Sequence, residues 1–143
     1  MNELSGTRFG TIQVDEASTI HLPAGLIGFP SETRFVLIRG EHARLAYLQS
    51  LTTPHLALAV VDAAVFGAGY PEPDAAALAH EAGLALDAEL AVLVPVALRD
   101  GEGRLVANQL APIVVDSVAR RAAQVVLDPR RYSTTAPVPP DAG

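Results

Sequence analysis

A chain of 143 residues with ten arginines, no lysine, sixteen carboxylates and a net charge of −6 has the length of one domain. At that size a chain buries roughly two-thirds of its unfolded surface. Zero cysteines exclude disulfides, thiolate metal sites and cysteine nucleophiles; no unbroken run of about 18 apolar residues offers a membrane span, and no basic region precedes an apolar segment at Met1-Asn2-Glu3-Leu4-Ser5, so the chain reads as cytoplasmic.

Residues 8–14, with Phe9, Ile12 and Val14 among Gly10, Thr11 and Gln13, predict a first strand. Asp15 and Glu16 turn the chain into a short strand over 19–22. Pro23, Gly25, Gly28 and Pro30 then fix an apolar loop. Its Leu26, Ile27 and Phe29 would cost roughly 1.5–3 kcal/mol each if left in water, so they plug one end of a barrel or meet a partner. Strands are expected over 33–38, 45–51 and 56–61, connected by 39–42 and by Thr52-Thr53-Pro54. The apolar run 56–61 suits a strand buried on both sides or a tight barrel face. A Gly-x-Gly at Gly67 and Gly69 is followed by Glu72 where a dinucleotide fingerprint needs glycine, so it is not a phosphate loop.

One helix is predicted over 74–82: Asp74 caps it, Ala75, Ala76 and Ala77 favour it, Leu78, Ala79 and Ala82 share a face, and Gly83 stops it. His80 and Glu81 stay exposed. Residues 89–98 form an apolar strand interrupted by Pro95, a signal for an edge or a bulge. Asp100-Gly101-Glu102-Gly103 is a hairpin turn into a strand over 105–107. Residues 103–127 read as a β-meander, with Pro112 opening a strand to Val115 and a further apolar run at Val125-Val126-Leu127. The single domain spans residues 1–132. Residues 133–143, with Pro137, Pro139 and Pro140, form a proline-rich flexible tail or an extended arm. Nine or ten short strands with one helix define an all-β, mainly antiparallel, compact β-barrel-like domain.

Chemistry is sparse in this pattern. His21, His42, His55 and His80 have no ligand spacing, and no serine sits in a nucleophile elbow. Glu72 with Asp74, or Asp87 with Glu89, would share an exposed side of an extended segment rather than form an acid/base dyad. No enzyme, metal or cofactor is expected. The polar pair Asn108-Gln109 either satisfies backbone groups at a bulge or, beside Leu110 and Pro112, offers a mixed surface to a protein partner. Residues 62–102 hold eight carboxylates against Arg99 alone, a net of −7. Such a segment disfavours direct nucleic-acid binding and suits a basic protein; the ordinary alternative is a solvated surface that keeps a half-apolar chain in solution.

The run Ala107-Asn108-Gln109-Leu110-Ala111-Pro112-Ile113-Val114-Val115, followed by Gln124-Val125-Val126-Leu127, resembles the signature of the flagellar assembly factor FliW family. The block from Ile20 to Phe29, and Leu48-Gln49-Ser50 with the run from Leu56 to Asp62, are similar to its other blocks in the same order. The resemblance covers residues 8–137. It departs at Gln109, where an apolar residue is expected, at Asp116, where Asn is expected, and at Pro30, in place of an acidic residue. The resemblance implies a β-barrel-like domain that switches between protein partners and is a monomer when free. It would bind flagellin in the cytoplasm and, once flagellin is exported, antagonise the RNA-binding translational repressor CsrA, coupling flagellin synthesis to flagellum assembly. The carboxylates Asp62, Glu72, Asp74, Glu81, Asp87 and Glu89 are the expected surface for the basic repressor. A groove near Leu26, Ile27 and Phe29, or near Leu110 to Ile113, is expected to take apolar helical ends of flagellin. The alternative is a small β-barrel binding or acting on a small-molecule ligand, which a side-chain-filled interior would oppose.

Overall fold

Strand alternation sends every second residue to one side, and here it builds two cores from one sheet. The computed structural model describes residues 2–40, 44–67, 70, 75–84, 90–98 and 104–139. In chain order the strands are β1 (Asn2–Thr7), β2 (Gly10–Val14), β3 (Ile20–His21), β4 (Arg34–Arg39), β5 (Leu45–Ser50) and β6 (Ala57–Asp62). They continue with β7 (Leu90–Leu98), β8 (Leu105–Ala107), β9 (Ile113–Asp116), β10 (Arg121–Gln124) and β11 (Ala136–Pro137). Helix α1 (Ala75–Glu81) lies between β6 and β7, and 3₁₀ turns occupy Glu16–Ser18 and Ala63–Phe66. Among the described residues no helix is long and apolar enough to cross a membrane.

Neighbouring strands run β7-β6-β5-β4-β3-β10-β9, and β9 pairs back onto β7, so seven strands close into a barrel. All pairings in the ring are antiparallel except β10 with β3. Inward positions fill the interior: Phe35, Leu48, Val60 and Ile113 are fully buried, packed with Ile20, Leu93, Val115 and Ala122. The opposite faces of β6, β7 and β9 form a second core, where Val61, Val92, Val94, Val96 and Val114 meet Leu78 of α1 and Tyr70. Strands β7 and β9 are thus buried on both faces, which is why LAVLVPVAL and IVV read as continuous apolar runs.

Several elements differ from expectation. The strand expected over 8–14 begins only at Gly10; before it the chain doubles back at Arg8 and Phe9 onto β1 as a separate two-stranded hairpin, turned by Gly10 at φ +79°. Residues 103–127 are not a meander. Strands β8 and β9 do not pair with each other but sit one after the other on the same edge of β7. Pro95 explains the handover. Its carbonyl accepts the Asn108 N–H at 2.8 Å on that edge, the side on which its missing donor would also point, so ladder pairing changes partner there. The apolar run Val125-Val126-Leu127 follows β10 rather than forming it, because its residues run along the 110–112 segment: Val125 N–H donates to the Pro112 carbonyl and Leu127 N–H to that of Leu110.

The helix begins and ends as the alanine run and Gly83 (φ +77°) dictate, though Asp74 lies outside the described residues. The turn expected at 100–103 also lies outside them; the strands it joins pair antiparallel, Leu98 with Leu105. Through Pro139 the C-terminal stretch is an extended arm along β8, pairing Ala136 with Ala107 and Pro137 with Val106, and Arg44 Nη1 donates to the Pro139 carbonyl at 2.8 Å.

Candidate functional site

Behind β3 the chain must turn inside the space of a few residues, and that turn forms one wall of the barrel mouth. Gly25 N–H donates to the Leu22 carbonyl at 2.8 Å, and Leu26 and Phe29 exchange N–H···O bonds of 3.2 and 2.8 Å. Gly25 has φ +71°, and a Cβ there would lie 2.5 Å from the Pro30 carbonyl oxygen, so the loop requires glycine. Leu26 plugs the barrel, at 6% exposure; Ile27 and Phe29 stay outside, at 58% and 51%.

The facing wall comes from the segment after β8. Asn108 Oδ1 accepts the Ala111 N–H at 3.2 Å, closing a turn on its own backbone. Gln124, at an inward position of β10, ties the walls together: its Oε1 accepts the Ile27 N–H at 2.8 Å and its Nε2 donates to the Ala111 carbonyl at 2.9 Å.

The third wall, Leu56 and Leu58, is positioned by the block Leu48-Gln49-Ser50. Fully buried Gln49 sends Nε2 to the carbonyls of Pro54 and Leu56 at 2.8 and 3.2 Å. Ser50 Oγ accepts the N–H groups of Thr52 and Thr53 at 3.1 and 2.9 Å and donates to Glu32 at 2.6 Å, while the Thr53 hydroxyl donates to the other Glu32 oxygen. With Pro95 these walls enclose a cleft of about 210 Å³, mostly apolar, with two amide side chains at its rim.

The structure therefore brings Leu26, Ile27, Phe29 and Asn108 together and leaves the other predicted residues behind them. Gln109 does not line the cleft: its backbone N–H donates to the Ser133 carbonyl at 3.0 Å and its backbone carbonyl accepts the Tyr70 hydroxyl at 2.9 Å. Tyr70 stacks edge-on between Phe66 and Tyr132, with centroids 5.5 and 5.2 Å away. Burial first, and then the neighbouring Tyr132, raise its phenol above the ordinary range. Leu110 is half-buried, Pro112 is buried, and their carbonyls brace the segment after β10. Sequence reasoning missed Gln124, Leu56, Leu58 and Pro95, while Ala111 falls within the expected groove range Leu110 to Ile113. A usable signal existed for Gln124, a polar residue in register with the inward positions of β10.

Of the predicted acidic surface, Asp62 and Glu81 are exposed, and Asp62 Oδ1 caps the 63–66 turn by accepting the Ala64 N–H at 2.8 Å. Glu72, Asp74, Asp87 and Glu89 lie outside the described residues. Asp62 ends β6 four residues past Leu58, about 13 Å along the strand. His21, His55 and His80 are exposed and His42 lies outside the described residues; among those described, no group of three His, Asp or Glu could hold a metal. Asp116, at a departure from the resemblance, does what Asn would: its Oδ1 accepts the N–H groups of Val118 and Ala119, both at 3.0 Å.

A family model described as FliW protein matches residues 3–138. Among curated relatives, the flagellar assembly factor FliW of Geotalea uraniireducens is 31% identical over 136 residues, covering 94% of this chain and 83% of the relative. Those of Heliobacterium modesticaldum and Geobacter sulfurreducens are each 34% identical, over 128 and 132 residues; they cover 89% and 92% of this chain, and the match spans 84% and 82% of theirs. A solved structure described as the crystal structure of the flagellar assembly factor FliW superposes with a TM-score of 0.82 at 23% identity, covering 99% of this chain and all of that one.

Proposed function

The chain belongs to the FliW family of flagellar assembly factors, and from that premise we propose that it is a partner-switching regulator: it binds flagellin, and when flagellin is exported it binds and antagonises the translational repressor CsrA. The observation that carries the flagellin half is the mouth cleft, an apolar groove with Ile27 and Phe29 exposed at its lip. An amphipathic helical end, apolar on one stripe, finds in such a groove the burial it lacks in solution. The filled barrel interior supports a protein partner over a small-molecule ligand, because the core leaves the mouth as the place where apolar surface is offered. For the repressor half, exposed Asp62 and Glu81 belong to the acidic stretch that complements an RNA-binding protein's basic surface.

Calorimetric titration with the organism's own flagellin tests the first half. Ile27→Ser and Phe29→Ser are expected to weaken binding about ten-fold, each removing a large exposed apolar side chain that a partner would bury; wild-type affinity in both variants would refute the mouth as the flagellin site. For the second half, neutralising Asp62 and Glu81 together with Glu72, Asp74, Asp87 and Glu89 should weaken CsrA binding and flatten its salt dependence. Unchanged affinity would remove the acidic surface from the account.

A further inference from the structure

The outer wall of the barrel is covered unevenly. Helix α1 and the segments after β10 lie over β6, β7 and β9, and the β1–β2 hairpin leans on β5 through Phe9 against Tyr47. Strands β10, β3 and β4 turn exposed side chains outward. On that face the register sets Arg121 beside His21 and His21 beside Arg34, so two guanidiniums flank an imidazole in one row across three strands. With neighbouring strands about 4.8 Å apart, the row spans about 10 Å. All three side chains are exposed, and with Pro23, Thr33 and Ala119 they line an open cleft of about 550 Å³.

Among the described residues no carboxylate pairs with any of the three. The acid in the same row, Asp116 opposite Arg121, is 5% exposed and spends its Oδ1 on two backbone N–H groups. The row is fixed in place by the residue before it: the Arg120 carbonyl accepts the His21 N–H at 2.9 Å, and Arg120 Nη2 donates to the Ser18 carbonyl at 2.7 Å.

We propose that this row docks an extended acidic segment of a protein partner, at a surface distinct from both the mouth cleft and the acidic stretch. Guanidinium forks match carboxylates two bonds at a time. An extended acidic peptide places same-side carboxylates roughly 6.6–6.8 Å apart, so two of them fit within the row. Single-stranded nucleic acid is disfavoured because the cleft has no Phe, Tyr or Trp among its lining residues on which bases would stack. A small oxyanion is favoured by converging backbone N–H groups, whereas the His21 N–H here is committed to Arg120. A second copy offering its acidic stretch would make a heterologous contact, which builds rings or filaments that sedimentation detects.

Fluorescence anisotropy of a labelled hexaglutamate peptide against the full chain tests the proposal. Saturable binding is expected, lost on raising salt and weakened about ten-fold in the combined Arg34→Gln, His21→Gln, Arg121→Gln variant, as two exposed guanidinium contacts and the imidazole between them allow. Arg34→Gln alone should weaken it less, which keeps the test valid if the combined variant folds poorly. Arg39→Gln, exposed at the far end of β4, should leave binding intact. No binding by the wild type, equal binding by the row variants, or equal loss in Arg39→Gln overturns the proposal. It is likewise overturned, in favour of nucleic acid, a small oxyanion or self-association, by tighter binding of single-stranded RNA, by displacement with equimolar pyrophosphate, or by row-dependent oligomers in sedimentation.

Discussion

Gln124 is the residue on which the candidate site turns. One side chain holds the Ile27 backbone and the Ala111 backbone at once, with both amide ends used. Gln124→Ala should cost about 1–2 kcal/mol, the range for two partly exposed hydrogen bonds, measured by urea unfolding, and it should weaken flagellin binding by freeing the loop that carries Ile27. A variant with unchanged stability would show the two bonds to be incidental. Tyr70 is a second test at this scale. Its phenol is held above its ordinary value by burial and by Tyr132, and it donates to the Gln109 carbonyl. The folded chain therefore keeps a proton that the unfolded chain releases above about pH 10, so this contribution is complete below that pH and falls away as pH rises further. Tyr70→Phe should cost about 1 kcal/mol at neutral pH for the lost hydrogen bond and should show a shallower loss of stability above pH 10 than the wild type in parallel denaturation curves; identical alkaline slopes would contradict this assignment.

At the scale of elements, the lesson concerns which faces are buried. The double burial of β7 and β9 was legible as unbroken apolar sequence, and α1 was legible from its alanines and Gly83. That α1 leans on the barrel was legible too, since so weak a stripe cannot stand alone; which strands it covers was not, because a seven-residue helix with one fully buried leucine gives little periodic signal. Leu78 is that leucine, and Leu78→Ala should destabilise the chain by about 2–4 kcal/mol through the cavity left over Val92, Val94 and Val114; thermal unfolding checks it, and a cost under about 1 kcal/mol would mean the helix is only loosely seated. The meander expected over 103–127 failed for a local reason. Pro95 hides its effect in β7, so nothing near β8 or β9 announces that both strands share one edge. The hairpin β1–β2 escaped because its first strand, Asn2–Thr7, alternates weakly and its turn carries no two-residue Asn-Gly or Asp-Gly signal.

For the whole molecule, a barrel packed solid by Phe35, Leu48, Val60 and Ile113 leaves its chemistry to its surfaces. The loop from Pro23 to Pro30 and the Asn108 break were legible one at a time, as apolar or polar residues where the pattern expects the reverse. Their meeting at one mouth was not, since it depends on the parallel pairing of β10 with β3 and on the bond from Ile27 to Gln124, 97 positions apart. The cleft and Asp62 lie along the same strand, β6, about 13 Å apart. That distance is shorter than a folded partner is wide, so two proteins seated at these places exclude each other by bulk alone. The proposed partner switch rests on this exclusion. Calorimetric titration of CsrA into the chain already saturated with flagellin measures it directly: the account predicts an apparent CsrA affinity that falls in proportion to flagellin occupancy and recovers in the Phe29→Ser variant, and an affinity indifferent to flagellin, with both partners bound together, would contradict it.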